Sequence, residues 1–366
     1  MFEELSTKAA SWLSGTGPQA GIVLSSRVRL ARNLRRFKYP SVAEPEVRRK
    51  IVGEVRSAVD KSILLKNGRF LQSGDVGDLD RDFLVERHLI SPEFMRSGNG
   101  HGLYVGEDES LSVMVNEEDH LRMQALVSGL DVSKAYELAS QADAELSANL
   151  PFDFDDEFGY LTACPTNAGT GLRASVLIHL PALVLTREID SVIARVTKVG
   201  WAVRGFYGEG TDVLGNLLQL SNQTTLGRSE EEIFEGLDKV TRQVIEYEEN
   251  SRYVLIRDAK DQIEDKIWRA FGILRYARVL TSSEVMNLLS AVRLGLGMGV
   301  IKEIPLALVN ALLLLCQPAH LQKYAARGMD ATERDTVRGE IIRGKFEKAL
   351  VEGMSPPSEP GNNKSN

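Results

Sequence analysis

Hydrophobic and polar positions divide the chain into two regimes. Up to about residue 255, short runs with a two-residue period alternate with helical stretches; beyond it only helical periodicity remains. Ile22, Val23 and Leu24 lead into Ser25-Ser26-Arg27-Val28-Arg29-Leu30-Ala31-Arg32. This predicts a strand with Arg27 and Arg29 on one face and Val28 and Leu30 on the other. Pro45 opens a helix marked by Val47, Ile51, Val55 and Val59. A short strand near Phe70 and Leu71 follows, then a helix over Phe83 to Ile90 that contains His88. Leu103-Tyr104-Val105 and Leu111 to Val115 form a hairpin around Glu107, Asp108 and Glu109. Asn116 then reads as the N-cap of a helix with Asp119 at its third position, which sets Glu118 and Arg122 four apart on one face.

Val132, Ala135, Leu138, Ala142 and Leu146 share one face of the next helix, and residues 151–158, acidic and aromatic, read as a loop. A strand over Val176 to Leu180, a helix over 181–199 begun by Pro181, and strands at Trp201 to Val203 and Leu217 to Leu220 follow. Ser229 and Glu232 make a capping box for a long helix with Ile233, Leu237, Val240 and Val244 inward. Farther on, Ile263, Ile267, Ala270, Phe271 and Leu274 repeat with a helical period, and Thr281 with Glu284 caps another helix. Leu306 to Leu315 is apolar nearly all round, a core helix or an oligomer seam. The stretch 353–366, rich in Pro, Ser, Asn and Gly, has the composition of a disordered tail.

The 366 residues suffice for about two domains. The net charge of −7 disfavours general binding to nucleic acid or an anionic membrane. Two distant cysteines, Cys164 and Cys316, argue against a disulfide framework and for a reducing compartment. Met1 to Leu13 carries Glu3 and Glu4 and no long apolar core, so no signal peptide is expected, and Leu306 to Cys316 is too short to span a bilayer. A cytoplasmic protein is the expectation.

Three segments carry the candidate chemistry. Asn116 to Arg122 holds three consecutive carboxylates and an arginine. Cys164-Pro165-Thr166-Asn167-Ala168-Gly169-Thr170-Gly171-Leu172-Arg173-Ala174-Ser175 has glycines that let backbone approach an anion, without the Gly-Lys-Ser/Thr ending of a Walker loop. Arg204-Gly205-Phe206-Tyr207-Gly208-Glu209-Gly210-Thr211-Asp212 reads as a mobile loop able to close over a ligand. Arginines 27, 29, 122, 173 and 204 fall at or near strand ends, enough positive charge for a nucleoside triphosphate. The carboxylates 118, 209 and 212 suit a cationic acceptor that must lose a proton as it is phosphorylated.

These motifs, with Ser25 to Arg29 and the stretch 204–222, make the chain resemble the guanidino phosphotransferases, the family of creatine and arginine kinases, over about 21–255. The resemblance implies an α/β (α+β) catalytic domain, mainly an antiparallel sheet flanked by helices, followed by an all-α C-terminal domain. The expected division is a lead-in over 1–20, the catalytic domain over 21–255, a helical domain over 256–352 and the tail over 353–366. ATP with Mg²⁺ is the expected phosphoryl donor, with no metal-ligating side chains assigned. By position, Ser25, Ser26, Arg27, Val28, Arg29, His88, Arg122, Arg173, Ala174, Ser175, Val176, Leu177, Arg204, Gly205, Phe206, Tyr207, Gly208 and Glu209 would contact nucleotide. Glu118 would be the catalytic base, and Asp212 the second carboxylate gripping the guanidinium.

Within that family the chain is most similar to the bacterial protein-arginine kinase branch. The core begins almost at residue 21 with no helical domain before it, Tyr207 stands where small-molecule kinases have an arginine, and an all-helical domain follows. In that branch the helical domain mediates dimerisation and carries a phosphoarginine-binding motif, matched here by Arg334, Asp335 and Arg338. The resemblance further implies protein substrates with exposed arginine, a heat-shock repressor among them, a zinc-finger activator, and an unfoldase–protease that reads the mark in protein quality control. It implies a homodimer or higher homo-oligomer, with no membrane or direct nucleic-acid partner. Departures are Asp212 for Glu, Leu177 for His and Gly339 for Ala. Two alternatives stay open: a phosphoarginine-binding adaptor with weak or no catalysis, and a kinase for a free guanidino compound.

Overall fold

The computed structural model describes residues 2–94, 100–206 and 214–354. The lead-in forms α1 (Phe2–Thr7) and a single 3-10 turn at Ser11–Leu13. The first half then runs β1 (Val23–Arg32), α2 (Pro45–Lys61), β2 (Arg69–Gln72), α3 (Asp78–Glu86), β3 (Gly102–Val105), β4 (Leu111–Val115), β5 (Leu121–Ser128) and α4 (Val132–Ser147). A small hairpin, β6 (Phe154–Asp155) and β7 (Gly159–Tyr160), precedes β8 (Leu172–His179), α5 (Pro181–Leu185), α6 (Ile189–Lys198), β9 (Trp201–Gly205) and β10 (Leu217–Asn222). Helices complete the chain: α7 (Glu230–Tyr276), α8 (Ser282–Gly297), α9 (Leu306–Leu315), α10 (Pro318–Tyr324) and α11 (Ala331–Met354). The tail from 355 onward lies outside the described residues.

Eight strands make one sheet in the order β2-β3-β4-β5-β1-β8-β10-β9, with every neighbouring pair antiparallel. This is the expected antiparallel sheet flanked by helices. One face buries Val28, Leu30, Met123, Ala125, Ala174, Val176, Leu218 and Leu220 against α2, α4 and the first half of α7. Burial of each Val, Leu and Met among them stabilises by roughly 1.5–3 kcal/mol, so this face sets the register of the strands.

The Ser229–Glu232 capping box starts α7, with both reciprocal bonds present. This 47-residue helix runs past residue 255 and leaves helical geometry at Ala259 (φ −144°, ψ 35°). Buried polar contacts tie the C-terminal helices to the sheet and lead-in. Arg293 donates to the carbonyls of Ala20 and Gly21, and His179 Nε2 lies 2.8 Å from Ser290 Oγ. Glu86, at the end of α3, accepts from the first backbone amides of α10, Ala319 N and His320 N, as a helix dipole favours.

Five expectations change, the first being the loop expected over 151–158, where Phe154–Asp155 pairs with Gly159–Tyr160 as β6–β7. No helix follows Asn116: that residue takes a left-handed backbone (φ 62°), and residues 116–120 are the turn between β4 and β5, closed by Asn116 N donating to His120 O (2.9 Å). His88 lies beyond the end of α3, also left-handed (φ 58°). Residues 181–199 form two helices, because Arg187 (φ 63°) breaks the first. The strand expected at Val176 begins at Leu172, inside the glycine-rich motif.

Candidate active site

Strand alternation builds the site. Arg29 stands opposite Gln124 on β5 and Arg173 on β8, and Arg27 stands opposite Leu126 and Ser175. Arg122 pairs with Ala31 and Met114, and Gln219 pairs with Leu177 and Arg204. Directly paired residues share a face. Arg27, Arg29, Arg122, Arg173 and Arg204 therefore all project from the face opposite the main core, and they line one cavity of about 490 Å³ with His88, Gln124 and Gln219.

The same alternation corrects the candidate set. Ser26, Val28, Ala174 and Val176 turn to the other face. Ser26 Oγ donates to Gly129 O and accepts from Asp131 N, a structural bond. Gly205 pairs with Leu218, also on the core side. Ser25, Ser175, Leu177 and Phe206 line a small adjoining cavity of about 20 Å³ with His88 and Trp12. Tyr207, Gly208, Glu209 and Asp212 lie outside the described residues.

The arginines crowd one another. Arg27 is pushed down to about 9, by burial first and then by Arg122, Arg173 and Arg204. Arg29 is held well below its ordinary value by burial and by Arg27, and its buried Nε has no protein partner. Arg27 Nη2 donates to Gln219 Oε1 (2.9 Å) and Nε to Ser175 Oγ (3.4 Å). Such a cluster of guanidinium donors fits a polyphosphate, each group offering a planar fork. Burial, with Arg27 and Arg29 next, pushes His88 down to about 3, so the ring is neutral. It meets Trp12 edge-on at 5.3 Å and Phe206 at 4.8 Å.

The three consecutive carboxylates have three environments. Glu117 accepts two bonds from Arg122 Nη1 (both 2.7 Å) and one from Ser91 Oγ (2.7 Å). Burial raises its proton affinity, but Arg122 and these bonds win and hold it below the usual carboxylate range. Asp119 is buried, accepting from Asn33 Nδ2 (2.6 Å) and Ala163 N (2.7 Å). Glu118 is exposed, and its proton affinity is raised by partial burial and then by Asp119 and Glu117. A compartment of about 50 Å³ lies between Glu118, Arg29, Arg122, Arg173, Asn167 and Gly171. Gly171 (φ +63°) is needed there: a Cβ would lie 2.6 Å from Ala31 O.

The pairing of Arg122 with Glu117 instead of Glu118 was missed because a helix was expected. Gln219 and Trp12 were also missed, and neither has a local motif. Half-buried Cys164 has its Sγ 3.0 Å from Thr166 Oγ1, in the loop that supplies Asn167 and Gly171 to the 50 Å³ compartment.

In the C-terminal helices, Arg338 is 1% exposed. It donates to Cys316 O (2.9 Å), Leu280 O (2.7 Å) and Asp335. Arg334 Nη1 donates to Met329 O (2.8 Å). The resemblance places phosphoarginine at Arg334, Asp335 and Arg338; in this structure both arginines also donate to backbone carbonyls that pin α11 to its neighbours.

Residues 50–251 match the family model of the ATP:guanido phosphotransferase C-terminal catalytic domain, and residues 260–357 match that of the protein-arginine kinase McsB C-terminal domain. A protein-arginine kinase of Halothermothrix orenii is 44% identical over 92% of this chain and 96% of its own length. One of Symbiobacterium thermophilum is 46% identical over 94% and 99%. Among solved structures, the duplicated taurocyamine kinase from Schistosoma mansoni with bound transition-state-analogue components aligns at TM-score 0.59 and 25% identity, over 67% of this chain and 35% of that one. Lombricine kinase has the same fold, at TM-score 0.56 and 23% identity over 67% and 70%.

Proposed function

We propose that this chain, which belongs to the ATP:guanido phosphotransferase family, is a kinase for arginine side chains of proteins. As a member it is an enzyme that transfers phosphate to a guanidino group, and the family implies ATP as donor. The observation that carries the protein-arginine reading is the exposed Glu118 carboxylate at the rim of the arginine-lined cavity, in a chain whose protein-arginine kinase relatives match through the C-terminal helices as well.

The arginine cluster binds the triphosphate and offsets its charge, leaving the γ-phosphorus turned toward the acceptor compartment. A guanidino nitrogen attacks that phosphorus, the N–P bond forms, the bond to the bridging oxygen of ADP breaks, and Glu118 takes the guanidinium proton. Asp212 would grip the far side of the guanidinium. Among the described residues no His, Cys, Asp and Glu side chains are grouped to hold a metal. Mg²⁺ would be carried by the nucleotide phosphates, as the family resemblance implies.

By the same reading the chain works in the cytoplasm, and among the described residues no helix is long and apolar enough to cross a membrane. The family resemblance supports extending it to a homodimer, a heat-shock repressor among the substrates, a zinc-finger activator, an unfoldase–protease that degrades marked proteins in the stress response, and a phosphoarginine site at Arg334, Asp335 and Arg338.

The test is transfer from ATP and Mg²⁺ to an arginine-bearing protein, followed by ³¹P NMR and acid-labile label, with free arginine and Glu118→Ala alongside. Acid-labile label on protein alone, lost in the variant, is the expected result. Label on free arginine alone would mean a small-molecule kinase. No label on either, with tight binding of a phosphoarginine peptide, would mean an adaptor.

A further inference from the structure

We propose that the β6–β7 hairpin is a docking surface for the polypeptide on either side of the acceptor arginine, and that it favours apolar and basic neighbours. The proposal rests on the protein-arginine kinase reading. Its first support is where the hairpin is anchored. Tyr160 N donates to Gly169 O (2.8 Å), and Gly159 (φ +74°) sits so close to that loop that a Cβ would lie 2.5 Å from Gly169 O. The same loop supplies Asn167 and Gly171 to the acceptor compartment. On the other side, Ala163 N donates to Asp119, the neighbour of Glu118. Phe158 is five residues from Ala163, at most about 17 Å of extended chain. A substrate chain presenting its arginine to Glu118 therefore passes the hairpin within a few residues of the acceptor.

The second support is the surface itself. Phe154 and Phe158 are 45% and 49% exposed on a two-stranded hairpin. The turn is rigid: Asp155 Oδ1 accepts from Glu157 N (2.9 Å) and Phe158 N (3.0 Å). Beneath it Tyr160 packs edge-on against Phe154 at 5.1 Å and lies under the Arg32 guanidinium at 3.4 Å. Phe154, packed on Tyr160, and Phe158, on a hydrogen-bonded turn, are open to solvent, and aromatic rings are the residue type that anchors interfaces at small entropic cost. Asp156 and Glu157 are exposed, and neither forms an ion pair among the described residues. The donor cavity is lined with arginine, whereas the hairpin turn carries these two carboxylates, and the nearby Arg35 is engaged by Phe154 O (3.1 Å) and Asp153. Basic residues beside the acceptor are drawn to this turn and acidic ones are repelled.

The experiment compares two peptides, each with one arginine, flanked by Lys and Leu in one and by Glu and Gly in the other. They are given to the full chain, to Phe154→Ala/Phe158→Ala, and to Asp156→Lys/Glu157→Lys. The wild type should prefer the Lys/Leu peptide. The aromatic variant should raise KM for it about tenfold with kcat within about twofold. The charge variant should reverse the preference. ADP affinity, read by calorimetry, should stay at the wild-type value in both and shows that the variants fold. Unchanged KM and preference in both variants would overturn the proposal. So would a fall in kcat alone, or a change of oligomeric state in the aromatic variant that accounts for its effect, since the hairpin would then contact a second copy. Failure of the wild type to label any arginine peptide or protein would defeat the kinase reading itself, a result distinct from the others.

Discussion

Glu118→Gln isolates the role of the exposed carboxylate. The amide keeps the side chain's size and leaves the bond from Glu118 N to Glu117 Oε2 (3.1 Å) in place, so the turn should hold. It removes the proposed proton acceptor and one negative charge. A positioned general base contributes about 10²–10⁴-fold. Glu118 is open to solvent on one side, so water screens part of its charge and takes over part of its role as acceptor. This favours the middle of the range, about 10³-fold or ~4 kcal/mol on the barrier. Rapid-quench measurement of acid-labile label at saturating ATP reads the chemical step, and ADP affinity should change less than twofold. The pH profile gives a second readout. Because Glu118 has a raised proton affinity, the wild-type acid limb should fall above pH 4.5, and the variant should lack it. Retention of activity within about fivefold, with the acid limb intact, would refute the assignment and move the base to another carboxylate.

Three more outcomes follow from the geometry. Arg27 sits at about 9 among its like charges, and a bound polyphosphate raises it again. Calorimetric ADP affinity should then weaken above pH 9, by up to about tenfold per pH unit, as the proton needed for binding is lost; constancy from pH 8 to 10 would show that Arg27 keeps its proton despite its crowded site. Glu109→Gln leaves the buried Arg87, otherwise held by Leu5 O, Lys8 O and His320 Nε2, without its carboxylate, and should cost about 3–5 kcal/mol in urea unfolding. Arg87→Met/Glu109→Leu should recover much of that. Gly339→Ala places a Cβ 2.5 Å from Arg278 O, a backbone atom that yields poorly. The clash costs about 1–3 kcal/mol against ~1 gained in helix propensity, so a lower urea midpoint is expected.

Elements whose signal is local were legible in the sequence. The Ser229–Glu232 box, the Pro45 helix start and the alternation of Arg27 and Arg29 with Val28 and Leu30 all stand as read. The order of the sheet was not legible, since β1 lies between β5 and β8, distant in sequence. At Asn116 two cues competed. Asn, Asp and Glu suggested a helix cap, while buried Leu121, Met123, Ala125 and Val127 alternate as a strand requires. The strand won because that face joins the main core, and Asn tolerates the left-handed backbone a turn needs. Arg338 shows a different limit. Spacing places it on a helix, but its burial depends on carbonyls of residues 280 and 316, far away in the chain.

Replacing the expected helix by a turn changes the chemistry available to the site. On a helix Glu118 and Arg122 would share a face, and the guanidinium would hold the carboxylate ionised and weakly basic. In the turn, the three successive carboxylates meet three different surroundings. Glu117 takes Arg122 and fixes one cation of the donor cavity, and Asp119 takes Asn33 and Ala163 and fixes the acceptor loop. Glu118 is left without such a partner at the surface, its proton affinity raised by partial burial and then by Asp119 and Glu117 beside it. Glu117→Gln is therefore expected to disturb nucleotide binding through Arg122 more than it disturbs proton transfer. A kcat/KM acid limb carried by Glu118 should survive in that variant. If the limb vanished in Glu117→Gln and persisted in Glu118→Gln, the order of roles along the turn would be reversed.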